Sequence, residues 1–228
     1  MQGGTGAAPP GEADRRVAGR PMGLAWGGNC SRLPAAMSET DPQSASETPP
    51  ETPAEAPRLA DGSAPMTPDE VLAYLARLGI AAETVSHPPV FTVEEAKALR
   101  GQLSGGHTKN LFLRNKKGRM WLVTCLEDRQ IDLKALAERL GGGRFSFGSA
   151  ERLMAHLGVT PGAVTALAVI NDSAGAVEAV LDEGLLAYDR VNVHPLSNDR
   201  TTALATADLL KFYDATDHPP LILDLGGL

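Results

Sequence analysis

The sequence predicts one α+β domain preceded by a tail that does not fold. Helices with clear N-terminal caps occur in irregular order with short strands, and one pair of strands is joined by a tight turn. This irregular order is typical of α+β domains, whereas a doubly wound sheet needs a regular alternation of strand and helix. No internal repeat is present, so a single domain is expected.

Residues 1–65 have the composition of a disordered tail. They hold ten of the 17 prolines and neither Phe nor Tyr. Such a segment has too few large apolar groups to offset the entropy lost on ordering. Residues 66–228 are long enough to bury one well-formed core, so we expect them to form the folded domain.

The first half of the domain contains a capped helix and a hairpin. Thr67 and Glu70 have the spacing of a capping box, and Gly79 follows as a helix stop. Residues 115–118 (Asn-Lys-Lys-Gly) are typical of a turn between two alternating runs. The predicted elements are a helix over 68–78, a strand over 80–86, a helix from Thr92 to Arg100, and strands over 110–114 and 119–126.

The second half is predicted from three caps and several apolar runs. Asp132, Ser149 and Thr206 are each suited to the N-cap of a helix, and Gly158 ends the helix that Ser149 begins. The predicted elements are helices over 133–140, 150–157 and 207–214, and strands over 166–170, 177–181, 187–193 and 221–225.

One part of the domain is strongly basic in a chain that carries −7 overall. Between Ala96 and Leu126 there is no Asp or Glu. A local positive field of this kind suits a partner that carries phosphate. We call this set of cations the basic segment; its members are Lys97, Arg100, Lys109, Arg114, Lys116, Lys117 and Arg119.

Several kinds of chemistry have no support in the sequence. There is no HExxH, paired CxxC, P-loop or GxSxG motif, and the five histidines lack metal-ligand spacing, so neither a metal nor a cofactor is predicted. Cys125 lies in an apolar run, which suggests a buried small side chain rather than a nucleophile. Two cysteines without a framework fit a reducing, cytoplasmic setting, and no stretch is apolar enough to predict a membrane span.

Three places could nevertheless bind a ligand. Lys109 follows the glycine-rich loop 101–106 at the expected start of a strand, where an ammonium and backbone N–H groups can meet an oxyanion; a solvated lysine is an equal alternative. His194 leaves a predicted strand and could titrate near neutrality, although a loop-capping histidine is more common. Gly162 lies in a turn that a ligand could approach closely, or in an ordinary helix-to-strand connection.

Four blocks of sequence together resemble a known family. They are His-Pro-Pro-Val-Phe-Thr-Val-Glu-Glu-Ala (87–96), Gly-Gly-His-Thr-Lys-Asn-Leu-Phe-Leu (105–113), Gly-Val-Thr-Pro-Gly-Ala-Val-Thr (158–165) and Val-Asn-Val-His-Pro-Leu-Ser-Asn (191–198). In this order they resemble the free-standing prolyl-tRNA synthetase-associated editing domains, the YbaK/ProX superfamily. The second block is most similar to the alanine-specific branch, which clears Ala-tRNA(Pro).

The resemblance implies a fold, a reaction and a site. The fold is a single mixed α/β domain with a curved, partly closed sheet flanked by helices. The reaction is hydrolysis of the ester between a wrong amino acid and the tRNA 3′-adenosine, without metal or cofactor. Lys109 and His194 match the catalytic positions, and Asn110, Gly162 and Asn198 match substrate-binding positions.

The resemblance also implies partners. Mischarged tRNA(Pro) is the substrate, and prolyl-tRNA synthetase is a candidate partner. The remaining cations of the basic segment are expected to contact the phosphates of the acceptor stem. These residues are Lys97, Arg100, Arg114, Lys116, Lys117 and Arg119.

One departure from the family pattern leaves the substrate open. Family members have proline after the Thr of the third block, whereas here Thr165 is followed by Ala166. A looser pocket wall would affect size selection more than hydrolysis. A deacylase for Ser-, Thr- or Cys-charged tRNA is one alternative, and a non-catalytic module that binds tRNA or an aminoacyl-adenosine is another.

Overall fold

The structure is a computed structural model that describes residues 56–88 and 103–227. Most of the predicted tail and the whole helix predicted from Thr92 to Arg100 lie outside the described residues. The described part of the predicted tail contacts the domain: Leu59 is buried, and the Ala60 N–H donates to the Ala155 carbonyl. These contacts begin before the predicted boundary at residue 65.

The helices begin at the predicted caps in three of four cases. Thr67 and Glu70 form a complete capping box, and the side chains of Asp132 and Ser149 accept backbone N–H groups of the first turn. Gly158, with φ 65°, ends the third helix. The helices are α1 (Pro68–Arg77), α2 (Leu133–Arg139), α3 (Ala150–Leu157) and α4 (Thr206–Ala215).

Eight strands of the described residues form one mixed sheet. They are β1 (Ala82–Ser86), β2 (Gly106–Arg114), β3 (Met120–Leu126), β4 (Ser146–Phe147), β5 (Val177–Asp182), β6 (Arg190–Val193), β7 (Arg200–Ala205) and β8 (Leu221–Leu223). The strand order is β1-β7-β6-β2-β3-β5-β8, with β4 paired to β2. The mixed α/β class with helices beside a sheet is confirmed, but the sheet is not closed.

The two faces of the sheet bury separate apolar clusters. One face packs against α1, α3 and α4 and holds the larger cluster, so we call it the core face. The other packs against α2 and holds Trp121, Val123 and Cys125, so we call it the α2 face. Because side chains alternate along a strand, neighbouring residues of β2 and β3 project onto opposite faces.

Three local predictions were wrong. Residues 166–170 form a 3₁₀ helix (Ala166–Asn171) instead of a strand; this run is almost wholly buried, and a continuous apolar run fits either structure. The strand predicted over 187–193 begins at Arg190, because Glu183–Ala187 form another 3₁₀ turn. Thr206 is the first residue of α4 and donates its hydroxyl to the Tyr188 carbonyl, so it does not cap the helix.

A buried ion pair joins the end of α4 to the start of β5. His218 Nε2 lies 3.1 Å from Asp172 Oδ2, and both side chains are at least nine-tenths buried. The other ring nitrogen lies 2.6 Å from the Thr216 carbonyl, and the Val177 N–H donates to Asp172. Since both ring nitrogens face acceptors, His218 carries both protons and a positive charge.

Removing this pair should change both the stability and its pH dependence. The hydrogen bond to Asp172 raises the pKa of His218 above 6.5. The charge of His218 therefore stabilises the fold fully below pH 6.5, and this stabilisation is lost as the pH rises through the raised pKa. Burial alone would raise the pKa of Asp172, but hydrogen bonds from His218 and Val177 hold it below 3.8; that contribution is lost as pH falls through the lowered value. The pair therefore stabilises most between pH 3.8 and 6.5.

We expect Asp172→Asn to lower the free energy of unfolding by about 3 kcal/mol at mildly acid pH, since it leaves a buried cation without its counter-charge. Urea unfolding at about pH 5.5 and about pH 8.5 measures this, and the loss should be smaller at the higher pH. Asp189→Asn removes an exposed carboxylate and is the matched control. Equal losses for both variants would contradict the prediction.

Candidate functional site

The site begins with strand β2, which starts earlier than predicted. Gly105 has φ 117°, and a Cβ there would lie 2.5 Å from the Arg190 carbonyl oxygen. A glycine is therefore needed to bring β2 against β6. Lys109 is the fourth residue of β2 and lies within the strand, not at its start.

The outer edge of β2 is only partly covered. Gly106 and His107 pair with β6, and Leu113 and Arg114 pair with β4. Between these two pairings no other described strand lies along this edge. The Phe112 carbonyl already accepts from the Gly148 N–H, so the open stretch among the described residues is 108–111, and a ligand could approach the sheet there between two strands.

Lys109 projects onto the α2 face. It is paired across the strands with Cys125, and its Nζ donates to the carbonyl of Arg129 in the loop after β3. Arg129 is itself held by Asp182, whose buried carboxylate accepts from the Arg129 Nε at 2.9 Å. This chain of contacts fixes the ammonium of Lys109 near the open stretch of β2.

Cys125 is not a nucleophile. Burial raises the pKa of its thiol to about 11, although the nearby Lys109 acts in the opposite direction. A thiol with this pKa is protonated at neutral pH and unreactive. The prediction of an inert cysteine agrees with this placement.

The strand register puts His194 on the same face of the sheet as Lys109. His107 and Asn192 are the last pair of the parallel β2–β6 ladder, and Lys109 and His194 each lie two residues beyond it, so their side chains project from the same face. Two residues not predicted for the site lie beside His194. The His87 ring lies 6.4 Å from the His194 ring, and His87 Nε2 lies 2.9 Å from Thr201 Oγ1.

The hydrogen bonding of His194 defines its tautomer. Nδ1 lies 2.9 Å from the Arg200 carbonyl, which can only accept, so Nδ1 carries the proton and Nε2 keeps its lone pair. Burial lowers the pKa of His194 below 6.5, and His87 lowers it further, against the effect of the Arg200 carbonyl. At neutral pH the ring is therefore uncharged and able to accept a proton.

Asn110 lies on the core face, across the sheet from Lys109. Its Oδ1 accepts from Thr124 Oγ1 at 2.7 Å, and its Nδ2 donates to the Val164 carbonyl at 3.2 Å. The second bond ties β2 to the loop that contains Gly162, which has φ 93°. Asn110 therefore contacts the loop that contains Gly162, whereas Lys109 and His194 project from the other face of the sheet.

Asn198 lies in the turn that follows His194. Leu196 in this turn has a positive φ of 64°, and Ser197 Oγ donates to Asp199 at 2.6 Å. These contacts shape the short connection between β6 and β7. Asn198 is half-buried in it, four residues beyond His194.

Asn192 was missed by the sequence analysis. It is 3% exposed, and its Nδ2 donates to the Ser104 carbonyl at 3.3 Å. Its Oδ1 is buried without a hydrogen-bond partner among the described residues. The only sequence signal was its position two residues before His194.

The cations of the basic segment differ in their surroundings. Lys116 and Lys117 are exposed in the β2–β3 turn. Arg119 binds Glu178 at 2.7 Å and lies over the Trp121 ring at 4.9 Å, so its charge is largely offset. Arg114 is half-buried opposite Ser146. Lys97 and Arg100 lie outside the described residues.

Two searches of the described residues gave negative results. No group of three or more His, Cys, Asp or Glu side chains in residues 56–88 and 103–227 is arranged to hold a metal ion. None of the helices in this part of the chain has the length and apolar character needed to span a membrane.

A family model for the aminoacyl-tRNA editing domain matches residues 87–212. The chain belongs to the aminoacyl-tRNA editing domain family. The match covers more than half of the chain and includes every residue described above between His87 and Phe212. It also confirms the resemblance to the prolyl-tRNA synthetase-associated editing domains.

Related proteins carry names that agree with this family. Prolyl-tRNA synthetase associated domain-containing protein 1 of Bos taurus is 43% identical over 155 residues, which are 66% of this chain and 90% of that protein. The same-named protein of Danio rerio is 40% identical, over 68% of this chain and 85% of that protein. The prolyl-tRNA editing protein ProX of Acetoanaerobium sticklandii is 40% identical, over 64% of this chain and 89% of that protein.

Solved structures share the fold of the editing domain. One, described as a candidate trans-editing enzyme for prolyl tRNA synthetase, has a TM-score of 0.55 at 23% identity and covers 69% of this chain and 95% of that chain. Another, of a hypothetical protein, has a TM-score of 0.56 at 19% identity, over 68% of this chain and 97% of that chain. At these identities the comparison establishes the fold alone.

Proposed function

We propose that the protein hydrolyses mischarged tRNA(Pro) and that Ala-tRNA(Pro) is its substrate. The observation that carries this proposal is that the register of β2 and β6 puts a cation, Lys109, and a neutral base, His194, on the same face of the sheet. The family match and the name of the ProX relative support the choice of reaction. The Gly-Gly-His-Thr-Lys-Asn block supports the choice of alanine.

His194 acts as the general base in this proposal. Its Nε2 lone pair accepts a proton from the attacking water, either directly or relayed through the free hydroxyl of the terminal ribose, as the water oxygen adds to the ester carbonyl. The same nitrogen then returns the proton to the departing ribose oxygen. The Nδ1–H bond to the Arg200 carbonyl keeps the ring in this orientation throughout.

Lys109 stabilises the charge that develops during the attack. The ester carbonyl oxygen becomes an oxyanion in the tetrahedral intermediate, and an ammonium held in place beside it lowers the barrier. Asp182 and Arg129 hold that ammonium indirectly, through the Arg129 carbonyl. An aminoacyl ester is already reactive, so positioning and charge stabilisation are sufficient and no covalent nucleophile is needed.

In this proposal the ester lies in the gap beside the open stretch of β2, with Lys109 and His194 on one side and the Gly162 loop on the other. The loop sets the size of the amino-acid pocket. Asn110 anchors the loop by its bond to the Val164 carbonyl, and Asn198 of the β6–β7 turn is proposed to line the same pocket. A narrow pocket accepts the alanine methyl group and excludes the proline ring by steric clash, which is the logic of a second sieve. Asn110 therefore serves substrate selection from the core face without touching the reacting ester.

The basic segment recruits the RNA. Arg114, Lys116 and Lys117 lie near one end of β2 and are proposed to meet phosphates of the acceptor stem, together with Lys97 and Arg100; Arg119 contributes less because Glu178 offsets its charge. Binding should weaken steeply as salt is added.

We propose prolyl-tRNA synthetase as a partner that releases the mischarged product, and the cytoplasm as the compartment.

The deciding experiment is deacylation of Ala-tRNA(Pro) by the full-length protein, with Pro-tRNA(Pro) as the control. Loss of alanine without loss of proline supports the proposal. Hydrolysis of Ser-, Thr- or Cys-charged tRNA in place of Ala-tRNA(Pro) would keep the reaction and change the substrate. Binding without hydrolysis of any of them would identify a non-catalytic module.

Restoring the family proline should sharpen substrate selection. Ala166 is the first residue of the 3₁₀ helix, and Thr165 before it is extended (φ −148°, ψ 155°), so both positions suit an X–Pro pair. We expect Ala166→Pro to stabilise the fold by about 0.5 kcal/mol and to raise the ratio of Ala- to Ser-tRNA hydrolysis.

The control for this variant is Ala166→Gly, which should move both quantities in the opposite direction. Thermal unfolding and paired deacylation rates are the measurements. A proline variant that is more stable but equally selective would show that this loop does not limit the size of the amino acid.

A further inference from the structure

Phe147 is the most exposed of the large apolar side chains in the described part of the chain. It is 60% exposed, although it belongs to strand β4 and is paired with the fully buried Leu113. The neighbouring Gly148 fixes this strand closely on β2, because a Cβ there would lie 2.3 Å from the Phe112 ring. The aromatic ring is thus presented to solvent by a firmly seated strand.

Phe147 lies on the same sheet face as Lys109. Directly opposite residues of an antiparallel pair project to the same side, so Phe147 shares the face of Leu113. Leu113 and Lys109 are four residues apart in β2 and also share that face. At the rise of a strand this separation is about 13 Å, measured along the open edge of β2.

The surroundings of Phe147 are positively charged. The pairing of β4 with β2 brings together two stretches without Asp or Glu, residues 103–126 and 141–150. These stretches contain the exposed Arg144, three residues before Phe147, and the exposed Lys116 and Lys117 of the β2–β3 turn, whereas Arg114, opposite Ser146, projects from the other face. An aromatic ring set among cations is the arrangement by which proteins bind unpaired nucleotides, since bases stack on the ring and phosphates meet the cations.

We propose that Phe147 is a stacking site for an unpaired base of the tRNA 3′ end, upstream of the terminal adenosine. This inference rests on the proposed function, which places the ester at Lys109. The single strand would then run from Lys109 along the open edge of β2 toward Phe147, and the acceptor stem would follow beyond the β2–β3 turn. Phe147 positions the strand and does not touch the ester.

A protein partner fits this surface less well. The residues beside Phe147 in sequence, Ser146 and Gly148, add no apolar area, and residues 141–150 carry a cation and no carboxylate. Protein interfaces bury a contiguous apolar centre from which charged residues are depleted. The charge around Phe147 is complementary to RNA instead.

Binding of uncharged RNA tests this site independently of catalysis. The probes are two RNA hairpins with the acceptor-stem sequence of tRNA(Pro), one with its unpaired 3′ end and one blunt. The variants are Phe147→Ala, Phe147→Trp, and the control Leu221→Ala, which removes a side chain that is 51% exposed on the edge strand β8. Thermal unfolding of each variant shows whether it is folded.

We expect Phe147→Ala to bind the hairpin with the unpaired end roughly tenfold more weakly and the blunt hairpin as the wild type does. Phe147→Trp should keep the affinity, and its indole fluorescence should be quenched by the unpaired end. In deacylation, Phe147→Ala should raise KM and leave kcat near the wild-type value, while Leu221→Ala changes neither.

The outcomes separate this inference from the proposed function. If Phe147→Ala binds each hairpin as tightly as the wild type does, the stacking site is wrong. This conclusion would hold even if Ala-tRNA(Pro) is hydrolysed and even if Phe147 proves to contact another protein. A wild type that neither binds nor deacylates tRNA would overturn the proposed function and the stacking site together. A fall in kcat alone for Phe147→Ala would also count against a stacking role.

Discussion

Replacing Lys109 with alanine is expected to lower kcat for deacylation by roughly 10²- to 10³-fold, the usual effect of removing one group that stabilises an oxyanion. The KM should change little, because the proposed contact is made mainly with the charge that forms during the reaction. The fold should persist, since Lys109 is half-buried and its Nζ contacts only a loop carbonyl among the bonds described. Single-turnover deacylation measures the effect directly.

Two matched variants make this result specific. Lys117→Ala removes the same charge from the exposed β2–β3 turn, and we expect it to raise KM and to reduce the salt dependence without lowering kcat. Lys109→Met keeps the aliphatic stem and should be as slow as Lys109→Ala. If Lys109→Met retained wild-type activity, the ammonium would have no role in the reaction.

Replacing His194 with alanine should lower the rate of deacylation and remove its dependence on pH. Positioned proton transfer contributes about 10²- to 10⁴-fold, so a fall in kcat of that size is expected. In the wild type the pKa of His194 lies below 6.5, so the rate should fall as pH falls through that lowered value and stay level above it. We call this fall in rate at low pH the acid limb, and the pH–rate profile of His194→Ala should lack it.

His87 provides the control for the histidine assignment. Its ring is near His194, so its removal takes away a group that lowers the pKa of His194. The acid limb of His87→Ala should therefore move toward higher pH while the plateau rate remains. If the acid limb disappeared in His87→Ala and persisted in His194→Ala, His87 and not His194 would be the general base.

Local signals in the sequence were sufficient for most helices and for the hairpin. Thr67, Asp132 and Ser149 were identified as caps because a cap depends on neighbours within one turn. The 3₁₀ helix Ala166–Asn171 and strand β7 were not predicted, because their conformation depends on what they pack against. Thr201 and Thr202 of β7 carry no pattern that separates a strand from a loop.

Residues for a candidate site could be named from the sequence, but their arrangement could not be predicted. Lys109 and Asn110 are adjacent in sequence, yet the pleat of β2 sends them to opposite faces, and the motif alone does not show which face holds the ester. His87 lies beside His194 only because β1 and β7 are paired. Such a contact joins residues more than 100 positions apart, and a single sequence carries no local trace of it.

The junction between β2 and β6 has consequences beyond the residues that form it. Lys109 belongs to the part of the sheet built on β3 and β5, whereas His194 belongs to the part built on β6 and β7. Within the described residues, only the pairs Gly106–Val191 and His107–Asn192 join these two parts by strand pairing. In the proposed mechanism the spacing between the Lys109 ammonium and the His194 base therefore depends on these two residue pairs, and substitutions at Gly105 or Gly106 should lower kcat although neither residue contacts the ester.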